Sequence, residues 1–232
     1  MGIRIFNPFT TTLPALVFKQ ATGNYVTSGT SNAKAYTNSV VSGNLLICAV
    51  YSVGLLPVQG TVTDTLSTSW TKIAGSNNYV TMWWGVASLS GANTVTVTWT
   101  GSNPTEICIS EYTVYGSAPT ADGNGISASA SPQTCSSSSA SGSADLVVCF
   151  GANSSGNGVV LSAPSSGTLN GRTDGLGNPG NLFGGCALCD FTSAASGVQS
   201  FVNTATTSGT PESIIANFKA NGTSANAVNI GG

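Results

Sequence analysis

The chain has 232 residues, of which 41% are hydrophobic and only 6% are charged, with no histidine and a formal net charge of −2. The absence of histidine excludes a Ser-His-Asp triad and leaves few groups that titrate near neutral pH. The six basic residues form no stripe that would bind phosphates, so the sequence does not predict nucleic-acid binding.

The amino-terminal segment is not predicted to be a signal peptide, because it has no continuous apolar run before Pro8. We expect residues 1–13 to form an arm that is held by the protein's own sheet or by a neighbouring subunit, since sheet edges pair with extended segments. The apolar contacts of this assembly arm are predicted to be Ile3, Ile5, Phe6 and Phe9.

The hydrophobic pattern predicts strands along most of the chain. Residues 94–100 alternate between apolar and threonine side chains, which indicates a half-buried strand. Residues 44–50 and 145–150 are apolar at both odd and even positions, as in central strands covered on both faces. No sustained helical period occurs, and further strands are predicted at 15–19, 61–64, 70–74, 79–87, 106–115, 159–162, 182–191, 198–203 and 213–219.

The uncharged run at residues 45–58 is not predicted to span a membrane, because Gly54 and Pro57 interrupt it and it is short for a bilayer. Asp-Gly and Asn-Gly pairs, which favour turns, separate the later predicted strands. Short strands with such turns predict an all-β fold, a β-sandwich or a barrel, of which we favour an antiparallel, jelly-roll-like β-sandwich. The pairs are Asp122-Gly123, Asn124-Gly125, Asn157-Gly158, Asn170-Gly171, Asp174-Gly175 and Asn221-Gly222.

Two pseudo-repeated halves are predicted, at about residues 14–120 and 140–232. Residues 42–48 match residues 143–149, and residues 108–112 match residues 214–218. Such halves form either tandem sandwiches or one interleaved jelly roll. We favour a single domain over residues 14–232, because the Ser-rich join at 127–143 has no charged residue and a single proline, unlike typical linkers. This join is a linker, a long loop or a polar edge strand.

Several segments resemble an all-β, jelly-roll-like module of phage virion proteins and bacterial surface proteins. The resemblance covers about residues 40–220 and implies a β-sandwich with a display or structural role; it supplies no catalytic residue. The chain differs from typical secreted members in its six cysteines and in having no predicted leader sequence. The segments are Gly43-Asn-Leu-Leu-Ile47, Val62-Thr-Asp64, Trp70-Thr-Lys72, Gly91-Ala-Asn-Thr-Val-Thr-Val97, Ser110-Glu-Tyr112, Ala144-Asp-Leu-Val-Val148 and Ile214-Ile-Ala-Asn-Phe-Lys219.

Four of the six cysteines, namely Cys108, Cys135, Cys186 and Cys189, are candidates for disulfides, whose connectivity the sequence does not determine. Cys135 lies in the Ser-rich segment and is the strongest candidate, for a bond within the subunit or between subunits. Cys186 and Cys189 are three residues apart, so a strand would place their thiols on opposite faces and prevent both from binding one metal. No metal or other cofactor is predicted.

The carboxylates and tryptophans offer two further candidate sites. Glu106 and Glu111 are five residues apart on a predicted strand and therefore point to opposite faces, which makes them a poor glycosidase pair. Trp83 and Trp84 are adjacent, so one should enter the core while the other faces outward or meets a partner. An exposed tryptophan would stack on a sugar ring or anchor a protein interface.

These observations predict a non-enzymatic structural protein that self-associates as a homo-oligomer on the exterior of a particle. The expected setting is a virion, in which the protein would act as a decoration, coat or fibre component bound to a capsid or surface lattice. The alternatives are a carbohydrate-binding module and an extracellular or cell-surface filament protein of a bacterium or archaeon.

Overall fold

The computed structural model describes residues 16–52, 60–73, 79–128, 130–142, 144–155, 158–177, 182–183, 185–194 and 196–219. Within these ranges the chain forms β-strands and no helix. The predicted all-β fold class, an antiparallel sandwich with two pseudo-repeated halves, is confirmed. The predicted arm at residues 1–13 lies outside the described residues.

In its described residues the first half contains eight strands. They are β1 (Leu16–Val26), β2 (Ser31–Ala35), β3 (Leu45–Ser52), β4 (Thr61–Asp64), β5 (Thr71–Lys72), β6 (Val80–Val86), β7 (Thr94–Thr98) and β8 (Thr105–Val114). They form a five-stranded sheet in the order β1-β8-β3-β6-β5 and a three-stranded sheet in the order β2-β7-β4.

The described part of the second half contains nine strands and repeats the first. They are β9 (Thr120–Ala128), β10 (Gln133–Ser141), β11 (Leu146–Asn153), β12 (Val159–Ser162), β13 (Asn170–Asp174), β14 (Leu182–Phe183), β15 (Cys186–Thr192), β16 (Gly197–Ala205) and β17 (Pro211–Lys219). The five-stranded sheet β9-β17-β11-β15-β13 matches that of the first half strand for strand, and the sheet β10-β16-β12-β14 adds one strand to the smaller sheet.

Each half is a sandwich of its own, and the strand pairs recorded in the described ranges join strands of the same half. One core, which includes Cys48 and Trp83, lies between the two sheets of the first half. Another, which includes Cys149 and Phe201, lies between the two sheets of the second half. A single domain over residues 14–232 stays a prediction, and what the structure adds is a third core that joins the halves.

The third core, which we call the seam, lies between the two five-stranded sheets. It contains fully buried side chains from both halves, among them Met82 from β6, Phe150 from β11 and Phe218 from β17. Both five-stranded sheets are therefore covered on both faces, which explains why β3 and β11 are apolar on both parities.

Four strands were missed by the sequence analysis: β2, β9, β10 and β13. In β9 and β13 the Asn-Gly pairs lie within strands instead of turns. Gly125 is needed for a close approach, because a Cβ at this position would collide with the Ser136 carbonyl of β10. The Ser-rich join is largely β10, an edge strand of its sheet, which agrees with the polar edge strand among the alternatives.

We expect Phe150→Ala to destabilise both halves. The truncation leaves a cavity in the seam that costs about 3–5 kcal/mol. All four tryptophans lie in the first half and Phe150 lies in the second, so tryptophan fluorescence during urea unfolding reports whether the seam couples them. A shifted fluorescence midpoint that coincides with the circular dichroism midpoint is expected. An unchanged fluorescence midpoint would show that the halves unfold independently. Tyr115→Ala, at a 55% exposed position, is the control.

Candidate functional site

The seam contains a group of ionic and aromatic contacts that joins the halves. Asp190 of β15 is 2% exposed and accepts hydrogen bonds from Arg172 Nε at 2.6 Å and Arg172 Nη2 at 2.7 Å. The Tyr112 hydroxyl of β8 donates to Asp190 Oδ2 at 2.8 Å, which links the two halves. The Arg172 guanidinium also lies 3.9 Å from the ring centroid of Phe18 on β1.

A small open cavity of about 200 Å³ lies beside these contacts. The Arg172 and Asp190 side chains on its wall neutralise each other, so the cavity presents no uncompensated charge to a ligand. Burial and the neighbouring Asp190 carboxylate raise the pKa of Tyr112 well above its usual range, which keeps the phenol protonated as a donor. The arrangement stabilises the junction between the halves. The remaining lining residues are Leu16, Val17, Leu146, Asn170 and Thr192.

A second polar cluster crosses the seam around Glu106. The Cys186 thiol donates to Glu106 Oε2 at 3.0 Å, and Cys108 Sγ lies 3.7 Å from Cys186 Sγ. The space for this carboxylate depends on Gly175 and Gly185, because a Cβ at either position would collide with it. Burial raises the pKa of Glu106 to about 7, and the neighbouring Asp174 adds to that shift.

The two candidate tryptophans lie on opposite faces of β6, as their adjacency predicts. Trp83 is buried in the core of the first sandwich. Trp84 is half-buried against the seam, where its ring meets Phe218 edge-on with centroids 5.8 Å apart. The partner that Trp84 meets is thus the second half of the same chain. A role in glycan or subunit contact stays a prediction for both residues.

All six cysteines are buried with free thiols. Cys186 faces the seam and Cys189 faces the core of the second sandwich, so the two thiols lie on opposite faces of β15, as the spacing predicts. Cys135 also faces that core, where its thiol contacts the Gly125 carbonyl oxygen at 3.7 Å. Among the four disulfide candidates, the structure brings Cys108 and Cys186 together, and disulfide formation stays a prediction for all four.

The surface is even poorer in charge than the composition suggests. Six of the eight carboxylates are buried, and the other two, Asp64 and Asp122, are only half-exposed. In the described ranges the one charged residue in the exposed class is Lys219. The sequence analysis missed the roles of Arg172 and Asp190. The available signal was that a charge inside an apolar strand requires a buried partner.

The chain was compared with protein families, curated proteins and solved structures. No family model, curated protein sequence or solved structure matches it. The described part of the chain contains no helix long and apolar enough to cross a membrane. In the same ranges no group of three or more histidine, cysteine or acidic residues is arranged to hold a metal ion.

We expect the stability of the protein to fall as the pH rises from about 4 to about 7. The pKa of Glu106 is higher in the folded chain than in the unfolded chain, so the folded state binds more protons within this window. The loss is at most about 3 kcal/mol and is complete above the folded pKa.

Glu106→Gln should remove this part of the pH dependence, since the amide oxygen still accepts the Cys186 thiol but does not ionise. Urea unfolding of both proteins between pH 4 and pH 8 measures the effect. The variant should be the more stable protein at pH 8. If both proteins lost stability with the same pH dependence, the interpretation of Glu106 would be wrong.

Proposed function

We propose that the protein is a non-enzymatic structural protein that self-associates on the exterior of a particle, as a decoration, coat or fibre component of a virion. The observation that carries the proposal is the near absence of charge from the surface. Nearly all of the described charged side chains are buried or half-buried, while Lys219 is exposed. Copies of such a chain approach each other with little electrostatic repulsion.

The outer face of the three-stranded sheet illustrates the surface available for such contacts. Thr61 and Thr98 lie opposite each other on β4 and β7 with their hydroxyl oxygens 2.7 Å apart, and Thr63 lies opposite Thr96 in the next row. These short hydroxyl side chains hydrogen-bond without carrying charge. A neutral surface of this kind supports packing of many copies into a lattice.

Sheet edges supply a second element of the proposal. In the described residues, β1 and β5 end the five-stranded sheet of the first half. Unpaired edges bind extended segments through main-chain hydrogen bonds. We assign the arm at residues 1–13 to such an edge of a neighbouring subunit.

The carbohydrate-binding alternative receives less support. It required an exposed tryptophan face, whereas Trp83 is 4% exposed and Trp84 packs against Phe218. The extracellular or cell-surface setting uses the same self-association and differs only in the particle to which the copies attach. Identification of the particle to which the copies attach would distinguish a virion from a cell surface.

Removal of residues 2–13 should abolish assembly and leave the fold intact. A second variant, in which Ile3, Ile5, Phe6 and Phe9 are all replaced by serine, keeps the length of the arm and removes its apolar contacts. Light scattering after size exclusion measures the mass of each protein, and near-ultraviolet circular dichroism checks the core. An oligomeric wild type with two folded monomeric variants is expected. Oligomers of unchanged mass in both variants would refute the role of the arm.

Assembly should also be insensitive to salt. Raising the salt concentration from about 0.01 M to about 1 M shortens the Debye length from about 30 Å to about 3 Å, which screens charge pairs on the surface. Because the proposed contacts are apolar and neutral, the oligomer mass should stay constant across this range. Dissociation at high salt would show that charged residues hold the subunits together. A monomeric wild type at every concentration tested would contradict self-association itself.

A further inference from the structure

A lysine, an asparagine and a glutamate meet on one face of the first sandwich. Glu111 lies on the middle strand β8 and is fully buried. Its Oε1 accepts hydrogen bonds from Lys19 Nζ of β1 at 3.0 Å and from Asn44 Nδ2, just before β3, at 2.6 Å. An amine and a carboxamide thus share one carboxylate oxygen, although they come from strands on opposite sides of β8.

The surrounding contacts fix these three side chains. Glu111 also accepts hydrogen bonds from Gln20 Nε2 at 2.5 Å and from the Val41 backbone amide at 3.0 Å. Lys19 Nζ donates a second hydrogen bond to the Ser39 carbonyl at 3.1 Å. Lys19 is the extra residue at the register shift between β1 and β8, which directs its side chain toward the same carboxylate as its neighbour Gln20.

We propose that Lys19 and Asn44 form an intramolecular isopeptide bond, with Glu111 as the general acid and base. The reaction needs an amine nucleophile, a carboxamide and a group that moves protons between them. A base is effective when it lies within about 2.6–3.2 Å of the atoms whose protons it transfers. Glu111 meets this condition for both nitrogens, and the fold holds all three groups in one place.

The proposed reaction balances without a co-reactant. Glu111 takes a proton from the Lys19 ammonium, and the neutral amine attacks Cγ of Asn44. The Nζ–Cγ bond forms, Glu111 returns a proton to Nδ2, and the Cγ–Nδ2 bond breaks. Of the three protons on Nζ, one stays in the new amide, one completes ammonia and the third leaves with it as ammonium. No atom is oxidised or reduced.

The second sandwich has the same backbone at this place but not the same chemistry. Asn217 of β17 occupies the position of Glu111, and Asp145 occupies that of Asn44. The register shift between β17 and β9 contains Asp122 where the first half has Lys19. The second half therefore has a carboxylate in place of the Lys19 amine, a carboxylate in place of the Asn44 carboxamide and an amide in place of the Glu111 carboxylate. It serves as an internal comparison that should remain uncrosslinked.

The bond would tie the edge strand β1 to the central strand β3 across β8. An edge strand has hydrogen bonds on one side only and is the first to separate from a sheet. A covalent link at Lys19 prevents this separation while leaving the sheet pairing unchanged. The inference stands independently of the proposed self-association, because a monomer forms the same bond.

The intact mass of the full-length chain tests the proposal, after prolonged incubation at neutral pH. Wild type should be lighter than its sequence mass by one molecule of ammonia. After denaturation and trypsin digestion, a branched peptide should join residues 5–34 to residues 35–72, with no cleavage after Lys19. Wild type at full mass, with Lys19 and Asn44 in separate linear peptides, would overturn the proposal.

Three variants make the result specific. Lys19→Arg keeps a cation beside Glu111 and should preserve folding, but it forms no such amide and should keep its full mass. Glu111→Gln removes the proton-transfer group and should also keep its full mass. Lys34→Arg is the matched control at another lysine and should still lose ammonia. A branched peptide in Glu111→Gln would overturn the role of Glu111.

A competing loss of ammonia is distinguishable. Succinimide formation at an Asn-Gly pair such as Asn170-Gly171 also releases ammonia, but it joins no peptides and would persist in Lys19→Arg. A loss of ammonia without the branched peptide would therefore count against the isopeptide bond.

Discussion

The structure depends on the seam, where two five-stranded sheets pack against each other while a smaller sheet covers the other face of each. This contact leaves β3, β8, β11 and β17 with almost no access to solvent. A strand covered on both faces needs apolar residues at nearly every position, because an unpaired polar group there costs free energy. The continuous apolar runs of the sequence are the direct consequence.

The same constraint determines where the charges go. A carboxylate on a doubly covered strand needs partners inside the protein, and each of the three best-defined examples has them. Glu111 has the lysine, two amides and a backbone donor, Asp190 has an arginine and a tyrosine, and Glu106 has a thiol. Charged side chains that in most proteins lie on the surface here form ion pairs and hydrogen bonds between strands. The neutral exterior on which the proposed self-association rests is thus linked to the way the interior is built.

Much of the fold could be predicted from the sequence because it follows from local pattern. β4 and β12 were predicted at their observed bounds, and β3 and β11 were identified as central strands. The matching segments around Cys48 and Cys149 revealed the repeat, since equivalent strands need equivalent burial. The predictions failed where a glycine permits a close approach instead of a turn, as at Gly125, because a single position does not distinguish the two uses.

The sites were less predictable because they join residues that are distant in the sequence. One of Trp83 and Trp84 was expected to face outward or meet a partner, and the alternation of side chains along a strand correctly places the two on opposite faces of β6. The identity of its partner, Phe218, depends on how the halves pack, which no local pattern encodes. The contact between Lys19 and Glu111 depends likewise on the pairing of β1 with β8 and on a one-residue shift in register.

The difference between the two halves separates the demands of folding from those of chemistry. Both halves keep the strand order and the register shift beside Tyr112 or Phe218, so neither feature requires a buried ion pair. Asn217 is fully buried at the position of Glu111, and neither of its side-chain polar atoms has a hydrogen-bond partner among the residues that the structure describes. If folding needed only a polar residue at this position, a glutamate with four donors would be an unfavourable choice, because removing its charge from water costs free energy. The concentration of donors around Glu111 is therefore better explained by what the carboxylate does with Lys19 and Asn44 than by the fold that it shares with Asn217.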